Sequence, residues 1–123
     1  MTSSQRNNVA PQRREIWVVA FDPAPPALRG EQAFPRPALV ISSDTFNTGP
    51  AGLVIVLPLT RTEHPNPLHI GLAAPEGGII VPSFILCDQI MRISSRRLSR
   101  RLGLVRSATM TNVEEALQIL LDL

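Results

Sequence analysis

Arg36 lies between two prolines, in the stretch Pro35-Arg36-Pro37 that leads into the apolar residues 38–41. Proline fixes its own φ and pushes the preceding residue toward an extended conformation, so the backbone that carries Arg36 is stiff. A guanidinium keeps its charge and has the geometry to bind a phosphate. With Glu31 and Gln32 close by in the sequence, this stretch is suited to a phosphodiester. An ordinary charged turn at the start of a strand would have the same composition.

The residue types give less support to catalysis by a pair of histidines, by a metal or with a nucleotide. His64 and His69 could titrate near neutral pH and act together on RNA as acid and base, but His64 is in a proline-rich turn and is expected to be a surface residue. One cysteine, two histidines and scattered acids have no spacing typical of a metal site, and no Gly-rich phosphate loop precedes a helix. We therefore expect no metal and no cofactor. Cys87 is expected to be an inert core residue.

The charge is unevenly distributed, although the net charge is only +2. All twelve basic residues are arginines, and the segment 89–112 has six of them and no acid. Such a stripe favours an anionic partner, or it simply keeps the protein soluble. One Trp, four Phe and no Tyr supply few rings for stacking on bases. The six residues are Arg92, Arg96, Arg97, Arg100, Arg101 and Arg106.

The 123 residues fit one domain with one modest core. Residues 1–13 are polar and predict a flexible N-terminal arm, so that 14–123 form the domain. No apolar run approaches the ~20 residues that a membrane span needs, and the first residues lack the apolar segment of a signal peptide. A single cysteine cannot form an internal disulfide, which agrees with a reducing cytoplasm.

Short β-branched runs separated by turns predict a mainly β protein. Strands are expected at 15–22, 37–43, 52–60, 68–72, 83–93 and 101–105, with one helical turn before Gly49. A C-terminal helix should present one apolar face, and Thr111 with Glu114 forms a capping-box pattern, with Ser107 as an alternative earlier start. This order of elements is typical of a small curled β-barrel covered by a helix. The apolar face comprises Met110, Val113, Leu117, Leu120 and Leu121.

The joint pattern of four segments resembles the MazF/PemK family over residues 14–123. These segments are Glu31-Gln32 followed by Arg-Pro-Ala-Leu-Val-Ile at 36–41, Leu-Val-Ile-Val-Leu-Pro-Leu-Thr at 53–60, Ser-Phe-Ile-Leu-Cys-Asp-Gln at 83–89, and the helix at 113–121. The resemblance implies an SH3-like barrel of the CcdB/MazF type that assembles as a homodimer. It also implies the toxin of a type II toxin–antitoxin pair, which cleaves single-stranded RNA without a metal and is blocked by a cognate antitoxin.

The resemblance places catalysis on Arg36 and Thr60. The implied reaction is attack of the RNA 2′-hydroxyl on its own phosphate, which leaves a 2′,3′-cyclic phosphate and a 5′-hydroxyl. Arginine is a poor general base, so Glu31 could accept the proton, while the Thr60 hydroxyl could orient the phosphate or relay a proton. Ser43 and Met91 depart from the family pattern, where asparagine and arginine are common, which bears on the RNA sequence preference. The expected RNA-binding residues are Gln32, Arg61, His69, Ser83, Asp88 and Gln89.

Two other functions fit a chain of this kind. A CcdB-like toxin has the same fold but poisons DNA gyrase by binding, and its pattern ends in Trp-Gly-Ile. This chain ends in Leu121-Asp122-Leu123, which argues against that function. A barrel that binds RNA without cleaving it would have no need to keep both Arg36 and Thr60.

Overall fold

The computed structural model describes residues 10–21 and 35–123, and within them seven strands form one antiparallel sheet. The order of the strands is β4-β5-β3-β2-β1-β7, and β6 pairs with β3. Helix α1 spans Asp44–Asn47, helix α2 spans Ser107–Leu121, and two 3₁₀ turns span Glu76–Gly78 and Ser95–Arg97. The strands are β1 (Glu15–Val19), β2 (Arg36–Val40), β3 (Leu53–Thr60), β4 (His69–Leu72), β5 (Ser83–Leu86), β6 (Met91–Ser94) and β7 (Leu98–Leu104).

Strand β3 is the centre of the sheet, since it pairs with β2, β5 and β6. It is apolar almost throughout and contributes buried side chains on both faces of the sheet. Val54 and Val56 belong to one buried cluster, and Leu57 and Leu59 belong to the other. A strand that contributes to two clusters has no face left for water, which explains its near-continuous apolar sequence.

The prediction of one strand over 83–93 was wrong. Strand β5 ends at Leu86, the chain turns through 87–90, and β6 begins at Met91. The turn is closed by the Gln89 N–H, which donates to the Leu86 carbonyl at 3.0 Å. Both pieces pair with β3, β5 at its end and β6 at its beginning, so the chain follows one edge of β3 in two steps. Gln89 and Met91 therefore do not continue the alternation of β5.

Three other strands also differ from their predicted bounds. Strands β1 and β2 end at Val19 and Val40, before the predicted ends at 22 and 43, and β7 begins at Leu98, three residues early. The helical turn before Gly49 is confirmed as α1, and the Ser43 hydroxyl caps it by accepting from the Phe46 N–H at 3.1 Å. The predicted core position of Cys87 is confirmed, and burial together with the Asp88 charge raises the pKa of its thiol to about 12.

Helix α2 begins at Ser107, the alternative start, and the capping box at Thr111 was wrong. The anion at the N-terminus comes from another part of the chain, because the Glu76 carboxylate accepts from the Arg106 N–H at 2.9 Å and from the Thr109 hydroxyl at 2.6 Å. Burial alone would raise the pKa of the Glu76 carboxyl. The bonds from Thr109 and Arg106 and the Arg106 charge outweigh it and lower the pKa. Glu76 thus fixes the 3₁₀ turn to the start of α2.

The last turn of α2 also differs from its prediction. Met110 and Val113 are buried as expected, and Leu117 packs against the core. Leu120 and Leu121 were predicted on the same apolar face but are exposed, with 39% and 50% of their surface accessible. The helix therefore covers the core with its first turns, and its end leaves apolar side chains exposed. Within the described residues, no helix is long and apolar enough to cross a membrane.

The contact of Glu76 with α2 makes a testable prediction about stability. Glu76→Gln should lower the free energy of unfolding at neutral pH by about 1–2 kcal/mol, because bonds to a charged acceptor become neutral ones. The pKa of the carboxyl is lowered from 4.5 in the folded state. Its stabilisation is therefore fully present above that value and is lost as the pH falls through the folded-state pKa.

Urea unfolding followed by circular dichroism at about pH 7 and about pH 3 measures this difference. The free energy of unfolding of the wild type should exceed that of Glu76→Gln at about pH 7, and the two values should become similar at about pH 3. Glu115→Gln, on an exposed position of the same helix, is the matched control and should change little. A difference between wild type and Glu76→Gln that stays constant with pH would contradict this role of the carboxylate.

Candidate active site

A cleft of about 270 Å³ opens where the ends of β2, β3 and β5 meet, with β1 and β7 beside them. This volume is just below the ~300–1,000 Å³ of pockets that enclose a whole drug-sized ligand, so it suits one part of a longer polymer. Three arginines and no acid line it among the described residues. The lining residues that carry polar side chains are Arg36, Thr60, Arg61, Ser83 and Arg100.

The register of β2 and β3 brings the two predicted catalytic residues together. Ala38 lies opposite Pro58, and each step toward the start of β2 is a step toward the end of β3. Continuing this register by two residues puts Arg36 opposite Thr60. Directly opposed residues of an antiparallel pair have Cβ atoms ~4.5–5.5 Å apart. The register therefore places the two side chains at neighbouring positions on two backbones that the sheet fixes, and both residues line the cleft.

Thr60 is 2% exposed and its hydroxyl is held in place by the turn that follows β3. Its Oγ1 accepts from the Thr62 N–H at 3.1 Å, which sets the χ1 angle and the position of the oxygen. On its other side Thr60 pairs with Phe84 of β5. The sheet and the turn together preorganise this hydroxyl, which is the condition for a group that binds a developing charge.

Ser83 and Arg61 extend the polar edge by one more strand. Leu59 pairs with Ile85, so the same register places Arg61 opposite Ser83. Ser83 is buried and its hydroxyl donates to the Val81 carbonyl at 2.9 Å, whereas Arg61 is exposed. Both residues were predicted to bind RNA, and the structure brings them into the cleft with Arg36 and Thr60.

One wall of the cleft is the segment 78–81, which follows the 3₁₀ turn. Gly78 has φ +80° and its missing Cβ is required, because a Cβ would overlap the Leu102 carbonyl of β7. Gly103 is equally constrained, since its Cβ would lie 2.8 Å from the Gly77 carbonyl carbon. The backbone of this wall therefore packs directly against the backbone of β7. Ile80 stands at its rim and is 87% exposed.

The fold divides the arginine stripe, all six residues of which the structure describes. Arg101 Nε lies 2.5 Å from Glu15 Oε2, and Arg106 Nε lies 3.2 Å from Glu76 Oε1. Of the six, Arg100 alone lines the cleft. Residue 100 precedes the last strand predicted at 101–105, and no role was predicted for it. Alternation along the sequence could not have shown its place, because the pairing of β7 with β1 shifts register on both sides of residues 100 and 101.

His69 and Asp88, both predicted to bind RNA, form a separate cluster. His69 Nε2 lies 3.0 Å from Asp88 Oδ1, and Asn66 donates to the other carboxylate oxygen at 3.3 Å. His69 pairs with Leu86 at one end of β5, whereas Ser83 begins that strand at the cleft. Three residues of strand separate the two ends by ~10 Å. The structure therefore does not bring this cluster into the cleft.

His64 is not the surface residue that was predicted. Its ring lies edge-on to the His69 ring, with centroids 5.7 Å apart. The Nε2 atom of His64 and the Nδ1 atom of His69 are both buried and have no hydrogen-bond partner in the described chain. Gln89 is half-buried in the turn beside this cluster.

Glu31 and Gln32 lie outside the described residues. The predicted roles of Glu31 in proton transfer and of Gln32 in RNA binding therefore remain predictions. Among residues 10–21 and 35–123, no group of three or more His, Cys, Asp or Glu side chains could hold a metal ion.

Comparison with known proteins relates this chain to a family. Residues 12–121 match the family described as the PemK-like, MazF-like toxins of type II toxin–antitoxin systems. The chain belongs to this family. The resemblance stated from its sequence segments is confirmed, and the protein is a toxin of the MazF type.

Relatives of this toxin align with it over nearly their whole length. Endoribonuclease MazF9 of Mycobacterium tuberculosis (strain ATCC 25618 / H37Rv) is 36% identical over 118 residues, 91% of this chain and 97% of that protein. Endoribonuclease EndoA of Bacillus subtilis (strain 168) is 33% identical over 106 residues, 85% of this chain and 91% of that protein. The crystal structure of MazF from Deinococcus radiodurans is 27% identical and superposes with a TM-score of 0.77, over 94% of this chain and 99% of that one. The predicted MazF-type barrel with a C-terminal helix is confirmed.

Proposed function

We propose that this toxin is an endoribonuclease that cleaves single-stranded RNA, including mRNA, at short sequence motifs in the cleft that holds Arg36 and Thr60. The observation that carries the proposal is that Arg36 and the buried Thr60 line one cleft, which has three arginines and no acid among the described residues. Two relatives that cover most of the chain are named endoribonucleases, which supports the activity. Single-stranded RNA fits because its backbone can enter an edge cleft with its bases splayed out.

In the proposed reaction, the 2′-oxygen attacks the adjacent phosphorus while the bond from phosphorus to the 5′-oxygen breaks. The 2′-hydroxyl proton is accepted by Glu31, and the leaving 5′-oxygen takes up a proton from water or from a group at the cleft. Arg36 binds the non-bridging oxygens and stabilises the charge that grows on them. Thr60 orients the phosphate. The products are a 2′,3′-cyclic phosphate and a 5′-hydroxyl, and none of these steps uses a metal or a cofactor.

RNA recognition would extend beyond the scissile phosphate along β5. Arg61 and Ser83 line the cleft, and they are proposed to bind the sugar–phosphate chain there. His69, Asp88 and Gln89 would contact bases further along the strand, because carboxylate, imidazole and amide groups can bond to base edges. Gln32 is proposed to join them from the segment before β2.

The family description implies a cognate antitoxin, and we propose that an acidic or disordered segment of it covers the arginine-lined cleft. We further propose that the toxin is a cytoplasmic homodimer. Ile119, Leu120, Leu121 and Leu123 are exposed apolar residues at the end of α2, a patch that a second copy could bury. Light scattering should give about twice the chain mass of 13.4 kDa, and a monomer would contradict the dimer.

The test of the proposed function is incubation of the purified toxin with a long single-stranded RNA in excess EDTA. Discrete fragments that persist with the chelator are expected, while the same RNA annealed to its complement should be cut far less. Intact single-stranded RNA would refute the proposal. A parallel gyrase supercoiling assay then identifies a CcdB-like activity, and RNA retention without cleavage identifies a barrel that only binds.

A further inference from the structure

The cleft has a cationic residue that neither the family resemblance nor the proposed reaction uses. Arg100 is exposed on β7, and it lines the cleft from the side opposite to Arg61 and Ser83. Its neighbour Arg101 is paired with Glu15, so adjacent arginines of one strand have different environments. Arg100 forms no ion pair with an acid of the described chain.

Strand pairing fixes how far Arg100 is from the proposed catalytic residues. Val18 of β1 lies opposite Pro37 on one side and opposite Arg100 on the other. Arg100 is thus two strands away from the start of β2, or ~10 Å at the usual spacing of strands. Leu59, Pro37 and Val18 lie on β3, β2 and β1 in turn, and all three line the cleft. They form an apolar floor, and β1 separates the strand that carries Arg36 from the strand that carries Arg100.

Such a floor can hold a stretch of nucleic-acid backbone better than a single anion. Arg36 and Arg100 are carried on strands ~10 Å apart, so an RNA backbone that crosses β1 can meet both of them. With one phosphate at Arg36, a second phosphate of the same strand would then meet Arg100. An exposed guanidinium loses little hydration when it binds a phosphate, and the contact releases counterions from the RNA.

We propose that Arg100 binds a phosphate that neighbours the scissile one, and that it thereby fixes the direction of the RNA across β1. The inference rests on the proposed function, since it assumes that the scissile phosphate is at Arg36. It assigns Arg100 to substrate binding and gives it no part in the chemical step. Its loss should therefore appear in KM and in binding, with kcat nearly unchanged.

The experiment begins with a cleavage site mapped with the wild-type toxin, so a failure of the proposed function is seen before Arg100 is tested. Arg100→Ala should raise KM for a short RNA spanning that site about 5–20-fold, with kcat within about 2-fold. Binding is measured with a 2′-O-methyl version of this RNA, which cannot be cleaved. Arg100→Ala should reduce the magnitude of the slope of log K for binding against log salt concentration by ~0.7, the value for one phosphate of a single strand. Arg96→Ala is the matched control, because it removes the same charge from an exposed residue outside the cleft.

A neutral methylphosphonate in place of one phosphate identifies the partner directly. At the phosphate on one side of the scissile position, the methylphosphonate should weaken wild-type binding as much as Arg100→Ala does. The methylphosphonate and Arg100→Ala together should then weaken binding no more than either change alone. Arg100→Lys should keep part of the binding. Three results would each overturn the inference. Arg100→Ala and Arg96→Ala could have equal effects, or Arg100→Ala could lower kcat and leave KM unchanged. The effects of Arg100→Ala and of the methylphosphonate on binding could also be fully additive at both phosphates that neighbour the scissile one. Arg100→Gln serves as a second variant if alanine disturbs β7.

Discussion

Arg36→Ala is expected to reduce kcat/KM for RNA cleavage by about 10²–10³-fold, the loss seen when one preorganised donor is removed from a developing oxyanion. The physical reason is the position of the guanidinium. It is carried on β2, which pairs with β1 and β3, and it lies opposite Thr60 at the edge of the cleft. Water that replaces it must reorient during the reaction, whereas the guanidinium is already oriented.

The measurement is single-turnover cleavage of a short RNA by enzyme in excess. Arg36→Lys separates charge from geometry, because lysine keeps the charge but loses the planar fork, and it should recover only part of the rate. Arg96→Ala again controls for net charge and should cleave like wild type. Unchanged circular dichroism and melting temperature show that β2 has kept its place. An Arg36→Ala enzyme that is folded and within about 3-fold of wild type would contradict the assigned site.

Thr60→Val is expected to have the second largest effect, a loss of about 10²-fold in kcat. Valine has nearly the same shape as threonine and suits a strand, so the 2% exposed site stays filled. What is lost is the hydroxyl, together with the bond that its oxygen accepts from the Thr62 N–H. That bond contributes about 1 kcal/mol to folding, which the protein can tolerate.

Thr60→Ser is the matched variant, since serine restores the hydroxyl without the methyl group. Recovery of most of the rate in serine and not in valine would assign the effect to the oxygen. If serine is as slow as valine, the methyl packing of Thr60 matters and the hydroxyl has no role in cleavage. The melting temperature of each variant checks that the turn after β3 has not unfolded.

The sequence was sufficient for the part of the site that local chemistry determines. Prolines on both sides of Arg36 indicated a stiff position at a strand start, and the apolar run 53–60 indicated a buried strand that ends at Thr60. That these two residues face each other depends on the register of β2 and β3. Register follows from how two distant segments pair, so the family resemblance and not the local pattern anticipated it.

The sequence failed where a distant residue decides a local structure. The start of α2 depends on Glu76, which lies 30 residues before Arg106, so the nearer capping box at Thr111 was the wrong choice. The break of the strand at 87–90 depends on β3, whose edge pairs with both pieces. Arg100 could be assigned to the cleft only after β7 was placed beside β1. These contacts have a large separation in sequence and no periodic signal.

The same reasoning explains why the expected RNA-binding residues separate into two groups. Arg61 and Ser83 are at the cleft end of β5, whereas His69 and Asp88 are at its other end. An extended RNA strand can pass both groups, since their separation of ~10 Å along the strand is small compared with a few nucleotides. The pair of His69 and Asp88 also fixes the imidazole ring, and the His69 side chain is only 6% exposed.

The chemistry of one cleaved bond tests attack by the 2′-hydroxyl most directly. A short RNA spanning a mapped site is compared with the same oligonucleotide carrying a single 2′-deoxyribose just before the scissile phosphate, both in EDTA. We expect cleavage of the first, with a 2′,3′-cyclic phosphate and a 5′-hydroxyl identified by mass spectrometry, and an intact second strand. Cleavage of the deoxy-substituted strand, or fragments with 5′-phosphate ends, would contradict attack by the 2′-hydroxyl at Arg36 and Thr60.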